Sequence, residues 1–341
     1  MSNSAVLNSQ FLAKIAAGDI KGAQEASTDF TRLTLREEGL LRKILPPRKV
    51  TWADCTKQLD TDHPVLVVEK EVSQPLSVSV PFGSLPANQY IRGSRYRVDM
   101  ARTHTRNFTK DKSELGGYDY DIREVFKDNA IKDHMTAEDV PFFRLVNDII
   151  AADPTKDPSD PLYQAATQAG VTSAMTGKVQ MYDFTAANKN PYGLVGFSKE
   201  SVISSLTIMS RGYGDPTKST PIRLVPDLIV MNVNTGLEFA KLLPTDIGRP
   251  LAEKMASEGL TVDTFFGKRF LFTIKDDLVK DGEMYQFAKP QFLGVFAEME
   301  EPTLFLEDRA FMLEYFIYSM QGCSIGNAFG LAKAIFPILK N

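Results

Sequence analysis

The residues of this sequence best equipped for chemistry are the arginines between positions 91 and 108. The stretch reads IRGSRYRVDMARTHTRNF and holds Arg92, Arg95, Arg97, Arg102 and Arg106 among tyrosine and phenylalanine. Guanidinium forks bind phosphate or carboxylate oxygens in pairs and rings stack on bases. The pattern therefore fits either a groove for nucleic acid or a charged ribbon that grips another copy of the chain. Other chemistry is sparsely supplied. His63, His104 and His134 fall in no i,i+4 or HExxH arrangement, so each is expected to be a solvated surface histidine and no metal site is assigned. GYGDPTKST at 212–220 has Thr217 where a phosphate loop needs glycine before Lys218, and reads as a surface turn. Asp119 with Asp121, and Glu298 with Glu300 and Glu301, could supply a carboxylate pair for glycoside hydrolysis; the usual reading is a solvated face. No serine or cysteine is assigned a nucleophile's role. Cys55 and Cys323 have no metal or redox spacing and are expected to be reduced packing residues. No catalytic residue and no cofactor is assigned.

Composition narrows the choice for the arginines. With 341 residues, 43% of them hydrophobic and 24% charged, the chain is built to fold around a core. Its net charge of -4 excludes the global basic excess of a dedicated nucleic-acid binder, so any phosphate affinity must be local. A protein interface is the better reading of the ribbon, because arginine pairs with carboxylates in bidentate fashion. MSNSAVLNSQ has no basic run followed by an apolar core, and no stretch approaches the length of a membrane span. Neither export nor membrane insertion is expected.

The elements that must position these residues change period along the chain. SAVLNSQFLAKIAA at 4–17 spaces Leu7, Phe11 and Ile15 for a short helix, and DFTRLTLREEGLLRKILPP at 29–47 predicts a second, stopped by Pro46 and Pro47. Neither can bury its own apolar face. In PLSVSVPF, Leu76, Val78, Val80 and Phe82 alternate with polar positions and Pro81, which predicts a half-buried or edge strand. Tyr96, Val98 and Met100 then face one way and Arg95, Arg97 and Asp99 the other. Arg102, His104 and Arg106 take over the even positions, a slip that predicts a bulge or twist in a long two-stranded ribbon. Between 119 and 153 the period is helical, with Thr136 and Asp139 resembling a capping box and Pro141 near a first turn. A loop follows at 152–164. Further on come a helix at 197–214 ended by glycine, a strand, Asn-rich turn and helix at 225–243, a helix in GRPLAEKMASEGL, and a buried strand KRFLFTI. The tail is strand-rich, with a turn at Gly326 and Asn327. Strands and helices in this loose order indicate an α+β chain.

The order of these parts resembles the major capsid proteins of tailed bacteriophages, the Hong Kong 97 fold. The stretches that carry the resemblance are FTRLTLREEGLLRKILPP, the ribbon at 72–110, AEDVPFFRLVNDII, PDLIVMN and AKPQFLGVF. It implies an N-terminal arm at 1–62 and an extended β-ribbon, the E-loop, at 63–110. A peripheral domain with a spine helix follows at 111–157 and an axial domain at 158–280. Residues 281–341 form a strand-rich return through the peripheral domain and the end of the axial domain. Function follows from the resemblance: self-assembly, as hexamers and pentamers, into the icosahedral virion capsid around a double-stranded DNA genome, starting from the host cytoplasm. Implied partners are a separate scaffolding protein, since little chain precedes Asp29, a portal protein, a decoration protein, and packaged DNA by non-specific contact only. The five arginines would lie over acidic patches of an adjacent subunit. An encapsulin-type shell shares the fold, and a soluble carboxylate-dependent hydrolase is the alternative of another class. The founding member of the family joins subunits through lysine and asparagine. Here no lysine stands between Lys70 and Lys110, so the ribbon has no donor for such a link.

Overall fold

The computed structural model describes residues 39–57, 61–70, 80–83, 94–111, 114, 122–151, 181–209, 224–238, 264–265 and 267–337. The helix expected at 4–17, most of that at 29–47, the one in GRPLAEKMASEGL, the turn at 212–220, Asp119, Asp121 and Arg92 lie outside these residues.

Apolar spacing builds the first contact. Helix α1 (Leu40–Ile44) ends just ahead of Pro46 and Pro47, which cannot continue it. Leu40, Leu41, Ile44 and Leu45 are buried against Phe142, Phe143, Val146, Ile149 and Ile150 of α2 (Ile122–Ala151). The α2 helix corrects the expected boundary at Thr136, because one 30-residue helix runs through that position and Pro141 lies well inside it. The reason is visible in its buried face. Ala130, His134, Glu138, Phe142 and Val146 follow at four-residue steps, all buried, and two of them are polar. The helix is continuous while its apolar period is interrupted.

Six strands form one sheet in the order β6-β13-β10-β7-β9-β8: β6 (Met181–Asp183), β7 (Leu228–Asn232), β8 (Thr264–Phe265), β9 (Lys268–Thr273), β10 (Glu283–Phe287) and β13 (Leu331–Ile335). All five residues of β7 are buried. Leu228 and Val230 pack with the α1–α2 core, while Ile229 and Met231 face a second core with Tyr182, Phe184, Val202 and Phe336. A strand covered on both faces reads as an unbroken apolar run. Helix α3 (Lys199–Leu206) opens on a Ser198–Ser201 capping box. It ends short of the expected glycine, where Ser205 and Thr207 hydroxyls donate to the carbonyls of Val202 and Ser204. At the end of β7, Asn232 caps α4 (Val233–Leu237) directly, so the expected Asn-rich turn is a helix start. The KRFLFTI strand, β9, is only half-buried.

The other large sheet is built on a long hairpin of β11 (Gly294–Arg309) and β12 (Met312–Ile325), which follows the short helix α5 (Pro290–Leu293). Ala310 opens its two-residue turn at φ 52°, a conformation that hairpin turns require and that disfavours L side chains. Strand β1 (Arg48–Lys49) joins β11, while β4 (Ala101–His104) and β5 (Phe108–Asp111) join β12. A separate pair, β2 (Val65–Lys70) with β3 (Ser94–Asp99), stands on this sheet through Leu66, Tyr96, Val98 and Met100, packed on Ala297 and Met320.

The slip after Met100 is thus no bulge in one ribbon. It is where the chain leaves β2 and crosses to β12. Backbone passes so closely there that a Cβ on Gly322 would come within 2.4 Å of the Asp99 carbonyl oxygen. Val80–Gly83, expected to finish a strand, forms a turn that leaves Phe82 fully exposed.

Candidate assembly interface

Alternation on β3 buries Tyr96 and Val98 and turns Arg95 and Arg97 outward. Arg95 donates to Glu69 Oε1 at 2.9 Å, and Glu69 is its direct partner across the β2–β3 pair. Arg97 Nε and Nη2 reach Asp99 Oδ1, two residues on along the same face, at 3.0 and 2.9 Å. Both pairs are open to solvent, so each is worth no more than about 1 kcal/mol. Arg102 sits on the other sheet, its guanidinium 5.8 Å from the centre of the Tyr318 ring. Burial, then the neighbouring Glu300, holds the Tyr318 phenol above its ordinary value. Arg106 is exposed in the turn between β4 and β5. The structure brings Arg95 and Arg97 together and separates them from Arg102 and Arg106 at the Met100 crossing.

A buried charged cluster, unforeseen in the sequence, ties the three parts beneath this surface. Arg42 of α1 donates from Nε and Nη2 to Glu138 of α2 at 2.9 and 2.8 Å, and from Nη2 to Glu298 of β11 at 2.9 Å. Its guanidinium also lies 5.3 Å from the centre of the Phe296 ring. His134, one turn before Glu138, contacts Glu138 Oε1 at 3.2 Å and Ser319 Oγ of β12 at 3.1 Å. Burial opposes charge on Glu138, yet hydrogen bonds from His134 and Arg42 and the Arg42 charge prevail and hold its carboxyl below the usual glutamate value. The neighbouring Asp139 is also fully buried. It accepts from the Leu41 amide at 2.8 Å and the Leu40 amide at 3.4 Å, and from Lys275 Nζ at 2.7 Å. Asp139 therefore caps α1 from a different helix and does not take part in a capping box of its own.

Two expectations are corrected here. His134 is 0% exposed, whereas His63 and His104 are at the surface as expected. Glu298 is 3% exposed and serves as the counter-ion of Arg42, while Glu301 pairs with Lys49, so the acidic triplet is not a plain solvated face. A signal existed in HMTAED: His134 and Glu138 stand at i,i+4 in register with the apolar stripe. Cys55 and Cys323 are free thiols, Cys323 packed beside the α1–α2 core.

No family model matches the sequence, and no curated protein matches it. The fold is similar to solved structures. Against the capsid of Ralstonia phage GP4 the TM-score is 0.55 at 11% identity, over 90% of this chain and 93% of that one. Against the mature capsid of bacteriophage PhiM1 it is 0.54 at 9% identity, over 89% and 88%. The capsid of the native GTA particle gives 0.51 at 12% identity, over 87% and 90%. Over nearly its whole length, the chain carries the α+β fold of bacteriophage capsid proteins.

Proposed function

We propose that this chain is the structural subunit that assembles, as hexamers and pentamers, into the icosahedral shell of a tailed bacteriophage around its double-stranded DNA. The observation that carries the reading is the match of fold over about nine-tenths of this chain and of the Ralstonia phage GP4 capsid chain. In this reading β2–β3 is the base of the E-loop, α2 is the spine helix of the peripheral domain, and the six-stranded sheet belongs to the axial domain. Arg92, Arg95, Arg97, Arg102 and Arg106 meet carboxylates of an adjacent subunit. Arg95 supports this role because its exposed guanidinium has donors beyond the one used on Glu69. A separate scaffolding protein, a portal protein and a decoration protein complete the particle, which assembles in the host cytoplasm.

The test is co-expression with a scaffolding protein, followed by size exclusion and electron microscopy. Closed shells of uniform size are expected in the void volume. A small soluble oligomer under these conditions would sink the reading, and shells filled with an enzyme cargo and never with DNA would replace it with the encapsulin alternative.

A further inference from the structure

Behind the core, α2, β10 and β13 bring an amine, a side-chain amide and a carboxylate together. Lys333 Nζ lies 3.2 Å from Asn147 Oδ1, 2.7 Å from Glu283 Oε1 and 2.8 Å from the Tyr285 hydroxyl. On the core side the surroundings are apolar, while Asn147 and Glu283 are half-buried: Nζ stands 4.7 Å from the centre of the Tyr285 ring, which meets Phe143 edge-on, and Phe142, Phe287 and Leu331 belong to the same core. Asn147 Nδ2 donates to the Phe143 carbonyl at 3.0 Å, one turn back on α2, and this turns Oδ1 toward the lysine. A countercharge alone would satisfy Lys333. The amide held beside it adds an electrophile, and the hydroxyl adds a donor aimed at the amide oxygen.

We propose that Lys333 and Asn147 condense into an isopeptide bond within the subunit, joining α2 to β13, with Glu283 as the proton acceptor. Glu283 takes a proton from Nζ, and the freed lone pair attacks Cγ of Asn147. The carbonyl electrons move onto Oδ1, where the Tyr285 hydroxyl donates from 2.9 Å. Burial, then the Glu283 charge, raises the Tyr285 phenol well above its ordinary value, so it stays a donor. Its one hydrogen also faces Glu283 Oε2 at 2.9 Å. Once Glu283 carries the lysine proton, the charged competitor is gone and the hydroxyl turns to Oδ1. The attached nitrogen gives its second proton to Nδ2, the Cγ–Nδ2 bond breaks, and ammonia leaves. It takes the proton held by Glu283 and departs as ammonium. Nothing is oxidised or reduced, and no co-reactant is needed.

The test is the intact mass of the full-length chain under denaturing conditions. The expected mass is that of the sequence less one ammonia, and digestion should yield one branched peptide joining Asn147 to Lys333. Glu283→Gln and Lys333→Met should each restore the sequence mass. Asparagine cyclisation elsewhere would lose the same mass. A loss that persists in Lys333→Met and yields no branched peptide therefore overturns the proposal, as does an unmodified mass for the folded wild-type chain. Should either variant fail to fold, the branched peptide in the wild-type digest decides alone. Both ends lie in one subunit, so the readout is independent of assembly.

Discussion

Replacing Arg42 with methionine isolates the charged cluster that joins α1, α2 and the β11–β12 hairpin. Methionine keeps much of the apolar stem but takes the cation from the Phe296 ring and leaves Glu138 and Glu298 without their guanidinium, both with side chains no more than 2% exposed. Removing one partner of a buried ion pair costs about 3–5 kcal/mol, because the other charge stays buried without compensation. Here two carboxylates depend on the same group, and His134 remains to Glu138 alone, so a loss of about 4 kcal/mol is expected. Urea unfolding of the purified subunit at pH 7 measures it.

The pH dependence supplies a second reading with a definite sign. In the wild type the Glu138 carboxyl is depressed, so its stabilisation is complete above the ordinary value of 4.5 and is lost as the pH falls through the depressed one. In Arg42→Met, burial of Glu138 without the guanidinium raises its carboxyl, so the variant gains stability on acidification. The gap between the two proteins should narrow from pH 7 to pH 5. Adding Glu138→Gln and Glu298→Gln to Arg42→Met should recover stability to within about 1–2 kcal/mol of wild type. A single-variant loss below about 1 kcal/mol, or a gap that widens on acidification, would refute the reasoning.

Three further outcomes are expected. Arg95→Ala with Arg97→Ala should change subunit stability by no more than about 2 kcal/mol in urea unfolding, since both pairs are exposed, while lowering the yield of shells counted by electron microscopy. Asp139→Ala removes the cap from the Leu40 and Leu41 amides and the partner of Lys275; it should cost about 2 kcal/mol by thermal or urea unfolding, and Asp139→Asn less. Gly322→Ala forces a methyl against the Asp99 carbonyl, so its melting temperature should fall by more than that of an alanine at the exposed position Glu307.

Local periodicity alone settled much of this protein. Pro46 and Pro47 end α1 because neither can donate the next helical hydrogen bond. Alternation along β3 places Arg95 and Arg97 outside and Tyr96 and Val98 inside because successive side chains of a strand point to opposite faces. The order of the parts, too, already resembled the capsid fold that the structure carries. What tertiary structure alone decided are the partners of groups whose neighbours in space are distant in sequence. Arg42 finds Glu138 and Glu298, 96 and 256 residues away, and Asp139 caps a helix 98 residues earlier. The same distance hid the meaning of the slip at Met100, where a change of partner sheet and an internal bulge look alike along one strand. It also broke the reading of α2: a buried histidine and glutamate look like a surface turn until the arginine that neutralises them is brought from another element. Periodicity reports which side of an element faces the core. Charge can sit on that side only when a partner arrives from elsewhere, and that arrival is a property of the folded chain.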